Sequence, residues 1–343
     1  MRWSKRGRIF NVSGEHGWMN SHAQIPAVLV RGDTLRIYFA TRPEPNLSLT
    51  TFVDVDAADP SRVVYLHDKP ILELGRPGMF DEQGIMPAFV CEHQGQVWLY
   101  YGGWSRRTIV PYSNWTGLAV SDDGGTTFHR AFPGPVLDRT PVEVYSATGG
   151  FIYKEQDVWT MWYASGEDWI KINDRYEEYY AIKSARSTDG LVWTRDNKDV
   201  LSCGRSLEPT HRPTIFRHGQ RYHMLFCHRN ITDFRDGKGS YRMGYAWSTN
   251  LEDWTRADEQ AGIEPSASGW DSTMVAYPYV VNVGEKTLLF YNGNGFGQTG
   301  IGYAQLEELP DPNERPVAGD KHSAGKITQT VKDASSTKTQ DAP

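Results

Sequence analysis

Cysteine is scarce in this sequence. Its 343 residues hold three, Cys91, Cys203 and Cys227, with no CxxC pair. That excludes a disulfide scaffold, and free thiols at this density fit a reducing compartment. Excess positive charge is missing too. The formal net charge is −6, which offers no bulk attraction to nucleic-acid phosphates. No apolar run approaches membrane-spanning length. The basic opening Met1-Arg2-Trp3-Ser4-Lys5-Arg6 leads into no apolar stretch of the signal-peptide kind. No Ser/His/Asp triad, phosphate-cradling P-loop or His/Cys zinc spacing is discernible. These absences predict a soluble, cytoplasmic protein with no membrane or nucleic-acid partner. They leave its oligomeric state open and call for no cofactor, a divalent ion in a central channel being the one allowance.

Aromatic residues, by contrast, are plentiful: Trp 12, Tyr 18 and Phe 13. They suit tight sheet packing, and they suit sugars, whose flat apolar faces stack on aromatic rings. Many fall in a recurring phrase of a polar segment, a proline or glycine, an apolar run, a tight turn and a second apolar run. It occurs at Pro26 to Phe39, Pro87 to Tyr101, Gly150 to Tyr163, Pro213 to Phe226 and Pro278 to Tyr291. From anchor to anchor the steps are 61, 63, 63 and 65 residues, and a near-constant period marks a repeat architecture. The runs are short, β-branched and aromatic, bounded by Gly, Asp, Asn and Pro, so each unit is strand-rich. A lone four-stranded sheet cannot bury both faces, whereas five arranged radially bury them against one another.

The sequence therefore predicts an all-β, five-bladed β-propeller over residues 1–309. Its four-stranded antiparallel blades have inner strands starting near residues 26, 87, 150, 213 and 278. Later in each unit Ser121-Asp122-Asp123-Gly124-Gly125, Ser187-Thr188-Asp189-Gly190 and Ser248-Thr249-Asn250 read as turns between third and fourth strands, with no chemistry assigned. The last unit lacks a fourth strand, which residues 8–12 are expected to supply. Residues 310–343 lose their aromatics and are expected to form a disordered polar tail.

In such a ring, the residues just before each inner strand and just after each second strand converge on one mouth. The first set holds Ser21, His22 and Gln24; Asp81, Glu82 and Gln83; Glu143, Tyr145 and Ser146; Glu208, His211 and Arg212; and Trp270 and Asp271. The second set holds Arg42; Trp104, Arg106 and Arg107; Trp169; His228; and Asn292. Carboxylates, guanidinium groups, imidazoles and aromatics at one opening describe a pocket for a polyhydroxylated or anionic ligand, a carbohydrate or sugar phosphate.

The period, the five units and the polar residues before the inner strands resemble the propeller glycosidases of glycoside hydrolase families 32, 43 and 130. Trp18-Met19-Asn20 is similar to the Trp-Met-Asn-Asp start of family 32. The resemblance implies a glycosyl-cleaving or glycosyl-transferring enzyme. Carried over by position, it makes Asp81 the transition-state stabiliser and Glu143 the general acid. The first-blade aspartate of those families is absent here, and Ser21, His22 and Gln24 stand in its place. Asp271, Glu208 or Glu82 from another blade would replace it, or His22 would act as base, or an external nucleophile such as phosphate would attack. Arg212, His211, Arg106 and Arg107 suit that last case, since guanidinium forks match phosphate oxygens. Hydrolysis, phosphorolysis, glycosyl transfer and sugar binding without catalysis all stay open.

Overall fold

The structure is a computed structural model that describes residues 1–14, 16–201, 207–235 and 237–310. The expected tail, from residue 311 on, and Cys203 lie outside the described residues. The described residues form almost nothing but antiparallel sheet, in units of four strands. The first unit is Ser21–Arg31, Thr34–Arg42, Leu49–Asp56 and Val63–Leu66. The second is Gly84–His93, Gln96–Arg106, Tyr112–Ser121 and His129–Arg130. Ala147–Glu155, Val158–Ile172, Arg175–Ser187 and Thr194–Asp199 make the third. Thr210–His218, Arg221–His228, Arg242–Ser248 and Thr255–Arg256 make the fourth. Three strands of the last unit, Ala276–Val283, Lys286–Asn292 and Ile301–Glu308, follow in order. Its fourth strand is Arg2–Phe10, antiparallel to Ile301–Glu308, so the ring closes with residues 2–10 rather than 8–12.

Each inner strand packs against the next, and that of the last unit returns to that of the first. Every sheet thus has a neighbour on both faces, so its second strand is apolar nearly throughout. Tyr38, Tyr100, Trp162, Leu225 and Phe290 are all fully buried at matching positions. The Ser/Asp turns are structural. Amides of Gly125, Gly190 and Leu251 donate to the hydroxyls of Ser121, Ser187 and Ser248 at 2.8, 2.9 and 3.0 Å. Two of these turns also clasp the preceding unit, where Tyr38 and Tyr100 donate to the carbonyls of Gly125 and Gly190, both at 2.7 Å. No helix of the described residues is long and apolar enough to cross a membrane.

The inner strands begin two to five residues before the proline and glycine anchors. Each is interrupted at its anchor by a register shift: Gln24/Ala27, Pro87/Phe89, Thr148/Phe151, His211/Thr214 and Ala276/Tyr279. In four units the residue ahead of the anchor has positive φ: Ile25 at 61°, Gly149 at 69°, Arg212 at 52° and Tyr277 at 56°. An extra residue in one strand re-aims a side chain, and bulges of this kind cluster at sites of function. For a β-branched Ile such a φ is strained, and it persists only where the surroundings over-determine it.

Candidate functional site

The bulges decide where the site lies. A cavity of about 630 Å³ opens at the mouth where the inner strands begin. Its floor takes Gln24 and Ile25 from the first unit, Met86 from the second, Thr148 from the third, His211 and Arg212 from the fourth and Tyr277 from the last. The walls are hairpins. Residues 106–112 join the second and third strands of the second unit. In the third unit the corresponding strands, Val158–Ile172 and Arg175–Ser187, run on well past the sheet. The two arms touch through Tyr112 and Trp169, edge to face at 5.1 Å.

Glu178 lies on the third unit's hairpin, lines the cavity and is 4% exposed. The hydroxyl of Ser146 donates to it at 2.5 Å. Burial pushes its carboxyl above the ordinary glutamate value. Hydrogen bonds from Ser146 and Tyr112 and the charge of Arg229 work the other way and lose. Asp174, at the tip of the same hairpin, is the other carboxylate of the cavity wall. No sequence reasoning singled out Glu178. It sits mid-strand in Tyr176-Glu177-Glu178-Tyr179-Tyr180, away from any anchor. The one signal for it is a buried-type strand that spends one of its inward positions on an acid.

The four acids expected at the mouth do not line the cavity, which corrects the expectation for Asp81, Glu143, Glu208 and Asp271. Each is buried inside its own unit and tied to a cation on that unit's outermost strand. Asp81 accepts from Arg130 at 2.8 Å, Glu143 from Arg195 at 2.9 Å, Glu208 from Arg256 at 2.8 Å and Asp271 from Lys5 at 2.6 Å. In three units a tyrosine 20 residues on donates as well: Tyr101 to Asp81, Tyr163 to Glu143 and Tyr291 to Asp271. In the fourth His228 takes that part, 3.0 Å from Glu208. Burial works against ionising Glu143, but Arg195, Tyr163 and Ser165 overcome it and hold it below its usual value; His228 and Arg256 do the same for Glu208. Among its described residues the first unit has no such acid. Buried Met19 and Phe39 occupy the corresponding positions. These acids recur because each clamps its own sheet, and the same clamp serves four units.

Of the remaining candidates, Gln24, Arg42, Trp104, Arg106, Arg107, Ser146, His211 and Arg212 do line the cavity. Trp104 lies across Gly84, where a Cβ would meet its indole at 1.6 Å, and donates from Nε1 to Ser48 at 2.8 Å. His211 is wedged between Tyr180 and Tyr241, with ring centroids 5.0 and 4.9 Å away. Burial, then the charges of Arg212 and Arg229, hold it neutral. The others lie outside. His22 is not on the cavity wall; burial and then Arg42 lower it to about 4, so the expected base is displaced from the site. Glu82 accepts from the Gly78 amide within a turn at 2.6 Å, and Gln83 accepts from the Arg106 amide. Tyr145 flanks Gly166, and Trp169 braces Tyr112 from outside the lining. Trp270 packs on Tyr291 at 5.2 Å. Asn292 is a seam residue. It accepts from the Ile25 amide at 2.6 Å and donates to the carbonyls of Ala23 at 2.6 Å and Gly300 at 2.8 Å, tying the first unit to the last.

Among the described residues no group of three or more His, Cys, Asp or Glu side chains is arranged to hold a metal ion. The bulge positions of the floor present Arg212 and no carboxylate, which does not fit a divalent cation in the channel.

No family model matches the sequence. Two proteins of Mycobacterium tuberculosis do: uncharacterized protein MT1551 of strain CDC 1551 / Oshkosh and uncharacterized protein Rv1502 of strain ATCC 25618 / H37Rv. Each is 33% identical over 309 residues, which is 90% of this chain and 100% of the relative. The chain belongs to the family of these two proteins. Its fold is that of the propeller glycosidases. It superposes on BT0996, solved in an RGII complex, with TM-score 0.68 at 18% identity, covering 91% of this chain and 94% of that one. A thermostable family-43 glycoside hydrolase gives 0.58 at 14%, covering 87% and 97%. The GH32 β-fructofuranosidase BmSUC1 of Bombyx mori gives 0.56 at 16%, covering 88% of this chain and 61% of that one. At these identities the likeness is one of fold. The match to the mycobacterial relatives, by contrast, is one of sequence.

Proposed function

We propose that this protein is a carbohydrate-active enzyme that breaks or transfers a glycosidic bond in the mouth of the propeller, with Glu178 as proton donor. The observation that carries the reading is a carboxyl of raised proton affinity, walled into a cavity of sugar size on a glycosidase-type fold. Leaving-group departure needs a proton at the glycosidic oxygen, and a buried acid that holds its proton more tightly than an exposed one supplies it. The C–O bond breaks with its electron pair on the leaving oxygen, which takes the Glu178 proton. The acceptor oxygen bonds the anomeric carbon and its own proton passes to Asp174 or to solvent. Tyr176, Tyr180 and Trp104 on the walls supply ring faces for the sugar.

A second reading, sugar binding without turnover, is favoured by the same wall. It presents no second carboxyl buried beside Glu178, where two acids flank the bond in most glycosidases. A screen of aryl glycosides and oligosaccharides, with and without added phosphate, separates the two. Under the enzyme reading Glu178→Gln lowers kcat by about 10²–10⁴ and leaves KM nearly unchanged. A substrate turned over equally well by Glu178→Gln would sink it, and binding with no turnover across the screen would leave the binding reading in its place.

A further inference from the structure

The bulge positions of the floor, residues 25, 86, 149, 212 and 277, share one place in the repeat and carry five unlike side chains. Only Arg212 is charged. It is 9% exposed, and its guanidinium leaves its own unit. It passes over Gly149, where a Cβ would sit 3.1 Å from Nε, and Nη1 donates to the Pro87 carbonyl at 2.9 Å. The side chain therefore spans the ring from the fourth unit to the second. Arg42 enters the same cavity from the first unit, and its Nη2 donates to Gln24 Oε1 at 3.3 Å. Tyr277 lines the same cavity, and burial disfavours the charge on each cation, bringing Arg212 down to about 10.

Among the described residues neither Arg42 nor Arg212 has a carboxylate within ion-pair distance, which is unusual here. Buried Arg36 and half-buried Arg130, Arg195 and Arg256 each have one, at 2.8, 2.8, 2.9 and 2.6 Å. Arg229 also lacks one, but its guanidinium is taken up by the Tyr180 hydroxyl and the carbonyls of Asn230 and Glu178, each at 3.0 Å. A buried cation facing a cavity with donors to spare is costly unless an anion arrives with the ligand.

We infer that Arg42 and Arg212 form an anion subsite on the cavity floor that takes a phosphoryl group, either as an ester on the sugar or as free phosphate beside it. The inference rests on the carbohydrate reading and narrows it. The charge balance selects the group. Five arginines line the cavity against Asp174 and Glu178. A sugar carboxylate brings one negative charge, whereas a phosphate brings about 1.5–2 and three acceptor oxygens for guanidinium forks.

The test is calorimetric titration of the full chain with inorganic phosphate, with glucose, galactose and mannose, and with their 1-phosphates. Wild type, Arg42→Met, Arg212→Met and Arg212→Lys are compared, and circular dichroism checks folding. The phosphate-bearing ligands are expected to bind wild type about tenfold or more tighter than the neutral sugars. Both Met variants lose that margin, and Arg212→Lys keeps part of it. Binding of inorganic phosphate alone identifies free phosphate as the occupant, and binding of a sugar phosphate only identifies the ester. Arg42, less deeply buried, carries the test if Arg212→Met does not fold. Neutral sugars that bind as tightly as their phosphates, with affinity unchanged in Arg42→Met, would overturn the subsite and leave the carbohydrate reading standing. A wild type that binds none of these ligands overturns the subsite; the glycoside screen above then judges the carbohydrate reading by itself.

Discussion

Glu178 and His22 are both buried titratable groups, and burial moves them in opposite directions. The Glu178 carboxyl is raised, so the folded protein holds that proton more tightly than the unfolded chain does. The stability it contributes is present below the ordinary glutamate value and is lost as pH rises through its raised one. The activity that needs its proton falls over the same interval. His22 and His223 are each lowered from 6.5 to about 4 by burial. The folded state keeps them neutral, so their contribution is whole above pH 6.5 and drains away as pH falls towards 4. Denaturant midpoints measured across this range should therefore fall on both sides. Glu178→Gln should flatten the alkaline side alone, and an unchanged alkaline side in that variant would contradict the assignment.

At the scale of the element, the repeated acids and the unrepeated floor divide the labour. Asp81, Glu143, Glu208 and Asp271 fix the segment ahead of an inner strand to the rim strand of the same sheet. Glu143→Gln leaves Arg195 buried without its partner, and breaking such a pair is expected to cost roughly 3–5 kcal/mol. Thermal melts should show the loss while ligand affinity stays at the wild-type level. The bulge is the other shared element. Gly149→Ala puts an L-residue at φ 69° and a methyl 3.1 Å from Arg212. It is expected to cost about 1–2 kcal/mol in backbone strain and to weaken phosphate binding.

This division also explains which features are legible in the sequence. The strands, the turns and the near 63-residue period can be read because every unit states them again. The acids are equally visible for the same reason, and that visibility misleads: a feature present in most units belongs to the scaffold. Catalysis and recognition need one of each group, so their residues break the pattern. Arg212 stands directly ahead of an anchor, where the sequence marks it as a candidate. Glu178 carries no such mark, because its position is set by how far one hairpin overruns its sheet, and no local pattern encodes that length.

On the scale of the whole molecule, the ring is held at one seam. Arg2–Phe10 completes the last sheet, Lys5 reaches Asp271, Trp3 donates to the Ala261 carbonyl at 3.1 Å and the Met1 ammonium to that of Gln260 at 2.6 Å. Removing residues 1–10 exposes the edge of Ile301–Glu308, leaves Asp271 buried without its cation and opens the stack of sheets at one face. The shortened chain is expected to lose its single cooperative melt and to self-associate through the bare edge. A truncated protein that melted sharply as a monomer would show that the seam is dispensable.

The seam has a consequence for biosynthesis. Arg2–Phe10 leaves the ribosome long before it can find its place, because its hydrogen-bonding neighbour, Ile301–Glu308, is translated some three hundred codons later. Until then the nascent polypeptide carries an unmatched ribbon with Trp3, Ile9 and Phe10. A chaperone that shields this ribbon during translation would govern how much of the protein reaches its closed form.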